Sequence, residues 1–257
     1  MDPTERFAEL LALPETEIPL DEAALLIAAH AHPDLDVDAR LAQLDGLAAA
    51  ADGRSTTELA ELLFVTEGFD GNTTDYGDPR NSYLDDVIDR RLGIPITLSV
   101  VMMEVGRRCG LPMHGVGMPG HFLVGGGAGE WFDPFNGGAR LDLAGCAARF
   151  AETHPGAQFR PQFLMPVSTS RIVERMLANL QNTLMQRDPR AVVWVTRLRL
   201  RIPEITLSQR GDLAGLLGRL GHFAEAAREF DVLARLLPGE GGEQAASAAA
   251  RLRARAN

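Results

Sequence analysis

Lysine is absent from the sequence: all 25 basic side chains are arginine. No residue can therefore form a lysine Schiff base, complete a phosphate-binding P-loop or accept an acyl group as an isopeptide. Cysteine is nearly absent as well. Cys109 and Cys146 are the two in the chain, too few for a disulfide framework. No apolar run approaches the roughly 18 residues that a membrane-spanning helix needs. The opening residues Met1-Asp2-Pro3-Thr4-Glu5-Arg6 have no apolar stretch of the kind that directs secretion. We therefore expect a cytoplasmic protein without a membrane partner. Positive charge is also scarce, the net charge being -10, which argues against a sequence-independent grip on nucleic-acid phosphates.

What is present is apolar and periodic. With 46% hydrophobic residues in 257, the chain can bury the core of one large domain or two ordinary ones. Residues 3–67 repeat apolar side chains at helical spacing: Phe7, Leu10, Leu11; Leu25, Leu26, Ala29; Leu41, Leu44, Leu47; Leu59, Leu62, Leu63. Asp21 and Ser55 stand where helix N-caps belong, and Asp52-Gly53 where a helix stops. A helical N-terminal subdomain over residues 1–67 follows.

Residues 68–80, rich in Gly, Asp and Asn, predict a connecting loop. A short amphipathic helix is expected over 82–91. A longer one runs from Pro95, suited to the first helical position, to Cys109, with Gly110 ending it. Ile96, Leu98, Val100, Val101, Met103 and Val105 make this second helix apolar nearly all round, as for a helix at the centre of a domain.

Beyond Pro112 the pattern turns to short β-rich runs at 114–117, 121–124 and 130–133, broken by the glycine-rich segment 125–129, a hairpin tip. A hairpin symmetric about Gly127 sets His121 directly opposite Asp133. Facing residues of an antiparallel pair have Cβ atoms roughly 5 Å apart, close enough for an imidazole to carboxylate hydrogen bond. From about residue 169 the spacing is helical to the end. Leu213, Ala214, Leu217, Gly221, Phe223, Ala226, Phe230 and Pro238 fit a tetratricopeptide-like pattern, with Leu180, Leu184, Asp188 and Val192 as a degenerate partner unit. Residues 239–257 are a last helix or a frayed tail.

Several other features invite chemistry and fit simpler readings better. His30 and His32 near Asp34, Asp36 and Asp38 imitate a metal-binding spacing. A loop at Pro33 with a helix cap at Asp34 or Asp36 accounts for them, so no metal or other cofactor is expected. Residues 125–129 are not a phosphate loop, because no helix start with Lys follows. Cys109 fits a buried helix-end thiol and Cys146 a structural one. His114, His154 and His222 have no evident partners in sequence.

Taken together, the segments 81–99 and 119–138, containing Asn81-Ser82-Tyr83-Leu84, Gly93-Ile94-Pro95-Ile96-Thr97-Leu98-Ser99, Pro119-Gly120-His121-Phe122 and Asp133-Pro134-Phe135, resemble the bacterial SirB-type family of transglutaminase-like proteins. The helical arm and the C-terminal repeats suit the same family layout. The resemblance implies an α+β fold: a helical N-terminal arm at 1–67, a transglutaminase-like (papain-like) core of a central helix on an antiparallel sheet at 68–168, and tetratricopeptide-like helices at 169–257. In active relatives a Gly-x-Cys segment opens the central helix and a His and an Asp follow on the sheet. Counting back fifteen residues from Gly110-Leu111-Pro112 lands on Pro95, so the resemblance puts proline in the nucleophile slot.

Proline supplies neither the thiolate nor the hydroxyl that acyl transfer needs. Ser99, one turn on and about 6 Å along the helix axis, is the best substitute, and Thr97 points to another side. Cys109 is about 21 Å along the same axis, out of reach. The expectation is a non-catalytic protein of this fold, with His121 and Asp133 as a degenerate triad. Asn81, Ser82 and Trp131 are the candidate binding residues, and the partner is an unidentified protein or peptide. The alternative is an amide or ester hydrolase or acyltransferase in which Ser99 is the nucleophile and His121 and Asp133 the base pair.

Overall fold

The computed structural model describes residues 2–127 and 129–256. Met1, Asn257 and Ala128 of the glycine-rich segment 125–129 lie outside the described residues. Two compact units divide the chain, Met1–Asn179 and Leu180–Asn257. Among the described residues no helix is long and apolar enough to cross a membrane.

The first unit opens with four helices, α1 Pro3–Leu11, α2 Leu20–Ala29, α3 Val37–Ala51 and α4 Thr56–Glu61. Their starts follow local chemistry. Asp2 caps α1 at Thr4 N, Asp36 caps α3 at Ala39 N, and Ser55 exchanges hydrogen bonds with Glu58 in a capping box at α4. Asp21 departs from expectation. It is no cap, because α2 already begins at Leu20 behind Pro19, and its buried carboxylate accepts a 2.6 Å hydrogen bond from Arg108 Nη2 instead. Its Oδ1 still accepts from Glu22 N at 2.9 Å, while Oδ2 takes the guanidinium from 87 positions away.

After α4 a π-helical turn, Leu62–Thr66, leads into β1 Asp70–Gly71, which pairs parallel with β2 Leu92–Gly93. Between them lies α5 Leu84–Arg90, shorter than the expected 82–91 because the 3-10 turn Pro79–Asn81 precedes it and Arg91 leaves the helix in the left-handed region. Next comes α6 Pro95–Arg108, buried from Pro95 through Gly106 as its all-round apolar surface requires. Thr97 Oγ1 accepts from Ile94 N at 3.2 Å and donates to Asn81 O at 2.7 Å, fixing the start of α6. Gly110 at φ 71° ends it.

Four short strands, β3 His114–Val116, β4 Leu123–Gly125, β5 Trp131–Asp133 and β6 Ala139–Leu141, form an antiparallel sheet in the order β3-β4-β5-β6. The register corrects the symmetric hairpin. Val124 faces Phe132 and Gly125 faces Trp131, each two residues further along than symmetry about Gly127 requires. His121 therefore precedes β4 and lies diagonal to Asp133 rather than opposite it. An offset of two keeps both side chains on one face, since strand side chains alternate with a period of two.

On that face Val116, Met118 and Leu123 bury against Cys146 and Phe150 of α7 Leu143–Thr153, with Leu164 completing the cluster. Burying a Phe or Leu side chain contributes roughly 1.5–3 kcal/mol each, so this cluster is what holds α7 to the sheet. α6 packs against β3 and β4. The chain returns to β3 through Val167 N and Gly115 O at 3.0 Å before α8 Thr169–Arg187.

The second unit contains α9 Val192–Arg201, α10 Leu207–Arg219, α11 Phe223–Leu236 and α12 Gly239–Ala256. Thr206 and Gln209 form a capping box before α10, and Gly221 at φ 88° turns the chain into α11. Leu213, Ala214, Leu217, Ala226 and Leu233 are buried between the helices. Arg197 is held by Glu225 through two hydrogen bonds of 2.6 and 2.8 Å.

Candidate functional site

The site is built around the turn before β4. Gly120 takes φ 72°, which only glycine adopts without strain, and hands the chain to His121. His121 N donates to Met118 O at 3.1 Å, and Arg175 of α8 donates to both His121 O, at 2.7 Å, and Met118 O, at 3.2 Å. The same guanidinium lies over the Phe122 ring at 5.3 Å. Arg175 is part-buried, and that burial lowers its pKa.

His121 Nε2 and Asp133 Oδ1 are 2.8 Å apart, in side chains that are both buried. Asp133 Oδ2 accepts from Asn136 Nδ2 at 2.8 Å and faces Arg149 Nε of α7 at 2.8 Å. Burial pushes the Asp133 carboxyl up, but the His121 hydrogen bond and charge, with Asn136 and Arg149, hold it below its ordinary value. An ionised Asp133 takes the proton side of the ring at Nε2, so Nδ1 carries the free lone pair of the neutral imidazole. Phe135 meets the ring edge-on at 6.2 Å, and half-exposed Tyr76 meets Phe135 at 5.7 Å.

The turn after Asp133 is brought against the start of α6. Gly71, paired with Gly93, lies so close to Phe135 that a Cβ there would stand 2.4 Å from its carbonyl oxygen. Pro95 follows two residues after Gly93 and is buried at the first position of α6. Ser99 is buried and donates its hydroxyl to Pro95 O at 2.7 Å. Asn81 is wholly buried, donating to Asp75 O at 2.8 Å and Tyr76 O at 3.2 Å while accepting from Asn72 Nδ2 at 3.0 Å. It ties the loop that carries Tyr76 to the start of α6. Ser82 is buried directly beside it, and Trp131 lies half-buried on the strand of Asp133, packed on the α7 cluster.

The thiols lie elsewhere. Cys109 is at the far end of α6, its Sγ 3.5 Å from Ala48 O, and burial raises its pKa. Cys146 is buried on α7, where burial, then Asp142 and Asp133, push its thiol up to about 11. His154 stacks on Phe150 at 4.8 Å, and His222 lies 3.2 Å from Glu225. Sequence reasoning missed Asn136, Arg149 and Arg175. Asn136 had a local signal, being three residues beyond Asp133 in a Pro-initiated turn. The two arginines had none, since α7 and α8 reach the site only through tertiary packing.

Residues 24–178 match the transglutaminase-like superfamily. The chain is also 35% identical, over 254 residues, to a UPF0162 protein of Xylella fastidiosa, covering 89% of this chain and 88% of that one. The chain belongs to the transglutaminase-like superfamily and to the UPF0162 family. A UPF0162 protein of Pseudomonas aeruginosa is 32% identical over 191 residues, 70% of each chain. The mouse F-box only protein 21 is 30% identical over 130 residues, 46% of this chain and 20% of that protein. No solved structure matches. The transglutaminase-like match takes in Asn81, Pro95, Ser99, His121 and Asp133, together with the clamp residue Arg175.

Proposed function

We propose that the chain is a non-catalytic, SirB-type member of the transglutaminase-like superfamily whose cleft and C-terminal helices recognise a protein or peptide. One observation carries the reading: among the described residues, the His121 ring has a single hydrogen bond, to Asp133, and no hydroxyl or thiol hydrogen-bonds to it. The nearest helix hydroxyls are engaged, Ser99 on Pro95 O and Thr97 on Asn81 O and Ile94 O. Nucleophilic attack needs a thiolate or hydroxyl within hydrogen-bond reach of its base. Pro95 in the nucleophile slot offers neither.

The same reading divides the chain functionally at 1–67, 68–168 and 169–257, with tetratricopeptide-like units in the last part. Helical repeats offer extended surfaces that suit peptides. A net charge of -10 favours a partner of basic or neutral character and disfavours nucleic acid. The aromatic pair Tyr76 and Phe135 beside His121 gives the cleft an apolar wall.

A second reading, an amide or ester hydrolase or acyltransferase using Ser99, is favoured by the intact His121–Asp133 pair with its ionised carboxylate. Full-length protein incubated with glutaminyl peptides, amines and small esters, and with a serine- and cysteine-directed acylating probe, separates the two. The proposal expects no turnover and no labelling, together with enrichment of peptides from a displayed library. Stoichiometric labelling lost in His121→Ala, with no peptide captured, would put the hydrolase first.

A further inference from the structure

The His121 ring keeps one polar atom unused, and so does the arginine that holds its turn. Asp133 occupies Nε2, and Nδ1 has no partner among the described residues. Arg175 gives Nη2 to the carbonyls of His121 and Met118, and no carboxylate pairs with it among the described residues. A guanidinium carries five N–H donors, so those on Nε and Nη1 remain. Buried atoms left without a partner, such as Asp85 Oδ1, occur elsewhere in the fold and not at either residue. The unused nitrogens of His121 and Arg175 therefore reach solvent.

Apolar surface lies beside them. Tyr76 is 54% exposed, a large aromatic left uncovered on its loop. Its ring meets Phe135 at 5.7 Å, and Phe135 meets His121 at 6.2 Å. Tyr76 and Arg175 are near enough for each to shift the ionisation of the other. Burial lowers the Arg175 pKa, with the Tyr76 hydroxyl and Glu174 acting against it. A part-buried cation without a counter-ion favours an anion that arrives from outside. One guanidinium matches one negative charge. No lysine can add to it, and a chain of net charge -10 repels dianions and polyanions.

We propose that this cleft captures the C-terminal residue of a peptide, with the carboxylate on Arg175, the N–H of the same residue on His121 Nδ1, and an apolar side chain against Tyr76 and Phe135. The inference rests on the reading of the protein as a non-catalytic peptide binder and names the part of the peptide that is read. A free chain terminus joins a planar monoanion, an N–H donor and a side chain in one residue, and arginine suits the planar anion. Arg175 bonds the backbone of the residue whose ring carries Nδ1, so donor and acceptor belong to one turn. The His121–Asp133 pair then has a use without a nucleophile. Asp133 on Nε2 fixes the tautomer that leaves Nδ1 an acceptor. A neutral peptide with a free terminus brings one charge to the cation and no excess charge to an acidic protein.

Two forms of one random octapeptide library, N-acetylated and ending either as free acids or as amides, are passed over the immobilised full chain. Enriched peptides are then titrated by fluorescence polarisation. Free acids with an aromatic or aliphatic last residue are expected, and amidation should weaken them at least about tenfold, as loss of a charge-assisted pair does. Arg175→Gln should lower free-acid affinity by a similar factor and erase the difference between acid and amide. Tyr76→Ala, at an exposed side chain, should weaken binding while the preference for the acid persists. If Arg175→Gln fails to fold by circular dichroism, the acid-to-amide ratio in wild type and Tyr76→Ala decides. Equal affinity for acid and amide, an amide library enriched in Asp or Glu, or displacement by inorganic phosphate at lower concentration than by acetate overturns the proposal and leaves peptide recognition standing. Enrichment from neither library overturns both.

Discussion

The hydroxyl of Ser99 donates to the carbonyl of Pro95 at 2.7 Å, so the serine proposed as an alternative nucleophile is bonded to the proline proposed to fill the nucleophile's slot. This i to i−4 bond is an ordinary one for serine inside a helix, and it stabilises little. Ser99→Ala should therefore shift stability by less than about 1 kcal/mol, since the carbonyl keeps its other helical role. Chemical denaturation measures it. A serine-directed probe that labels wild type and not Ser99→Ala would show that the hydroxyl is released and used.

Pro95→Cys tests the slot from the other side. A thiol at the first position of α6 meets the positive end of the helix, which favours thiolate, and the proposed slot predicts that it also meets His121. Cys109 and Cys146 have raised pKa values, Cys146 up to about 11, so they form a quiet background. Alkylation followed by mass spectrometry should show the new thiol reacting first near neutral pH. Its rate should drop when His121 is also replaced by Ala. An introduced thiol no faster than Cys109 in a folded variant would mean that Pro95 does not stand in the slot.

How much of this was legible in the sequence follows the range of the interactions. Pro95 and Gly110 bracket α6, and Ser55 with Glu58 open α4, because caps and glycine turns act over three or four residues. The meeting of His121 and Asp133 was legible although its register was not. A strand of three residues is too short to display alternation, and an offset of two preserves the face while moving the partner. β6 is three residues long and shows no alternation, although Asn136-Gly137-Gly138 before it is a turn signal. Asp21 with Arg108 and His32 with Asp85 join segments 87 and 53 positions apart, and only the packing of α2 against α5 and α6 brings them together.

Asp133→Asn should cost the fold about 3 kcal/mol, because it leaves buried His121 without its anion and part-buried Arg149 with Glu152 alone. The sign with pH follows from the lowered pKa of Asp133. Its contribution is present above the ordinary value of 3.8 and is lost as pH falls through the lower folded value. The stability gap between wild type and variant should be widest near neutral pH and shrink on acidification below about 4. Urea unfolding at stepped pH measures this. A gap that stays constant down to the acid transition would mean that the carboxylate is not ionised in the fold.

Glu104 predicts the opposite slope. It is buried on α6 beside buried Asp21, with Arg107 Nε at 2.8 Å and Arg108 Nη1 at 3.2 Å. Burial first, then the charge of Asp21, lift its pKa from 4.5 to about 7, while Arg107 pulls the other way. A carboxyl whose folded pKa is raised binds its proton more tightly when folded. Its contribution is therefore full below pH 4.5 and is lost as pH rises through about 7. Glu104→Gln keeps the shape and cannot ionise, so the variant should gain on wild type steadily across that window and be the more stable of the two at pH 8. Both arginines lose a partner in the variant, but Arg107 is 60% exposed and screened by solvent, and Arg108 keeps Asp21 and Asp45. Urea midpoints for both proteins at pH 5, 6, 7 and 8 give the difference directly, with every other titrating group cancelling. Parallel curves would show that Glu104 stays ionised throughout, its charge matched by Arg107 and Arg108.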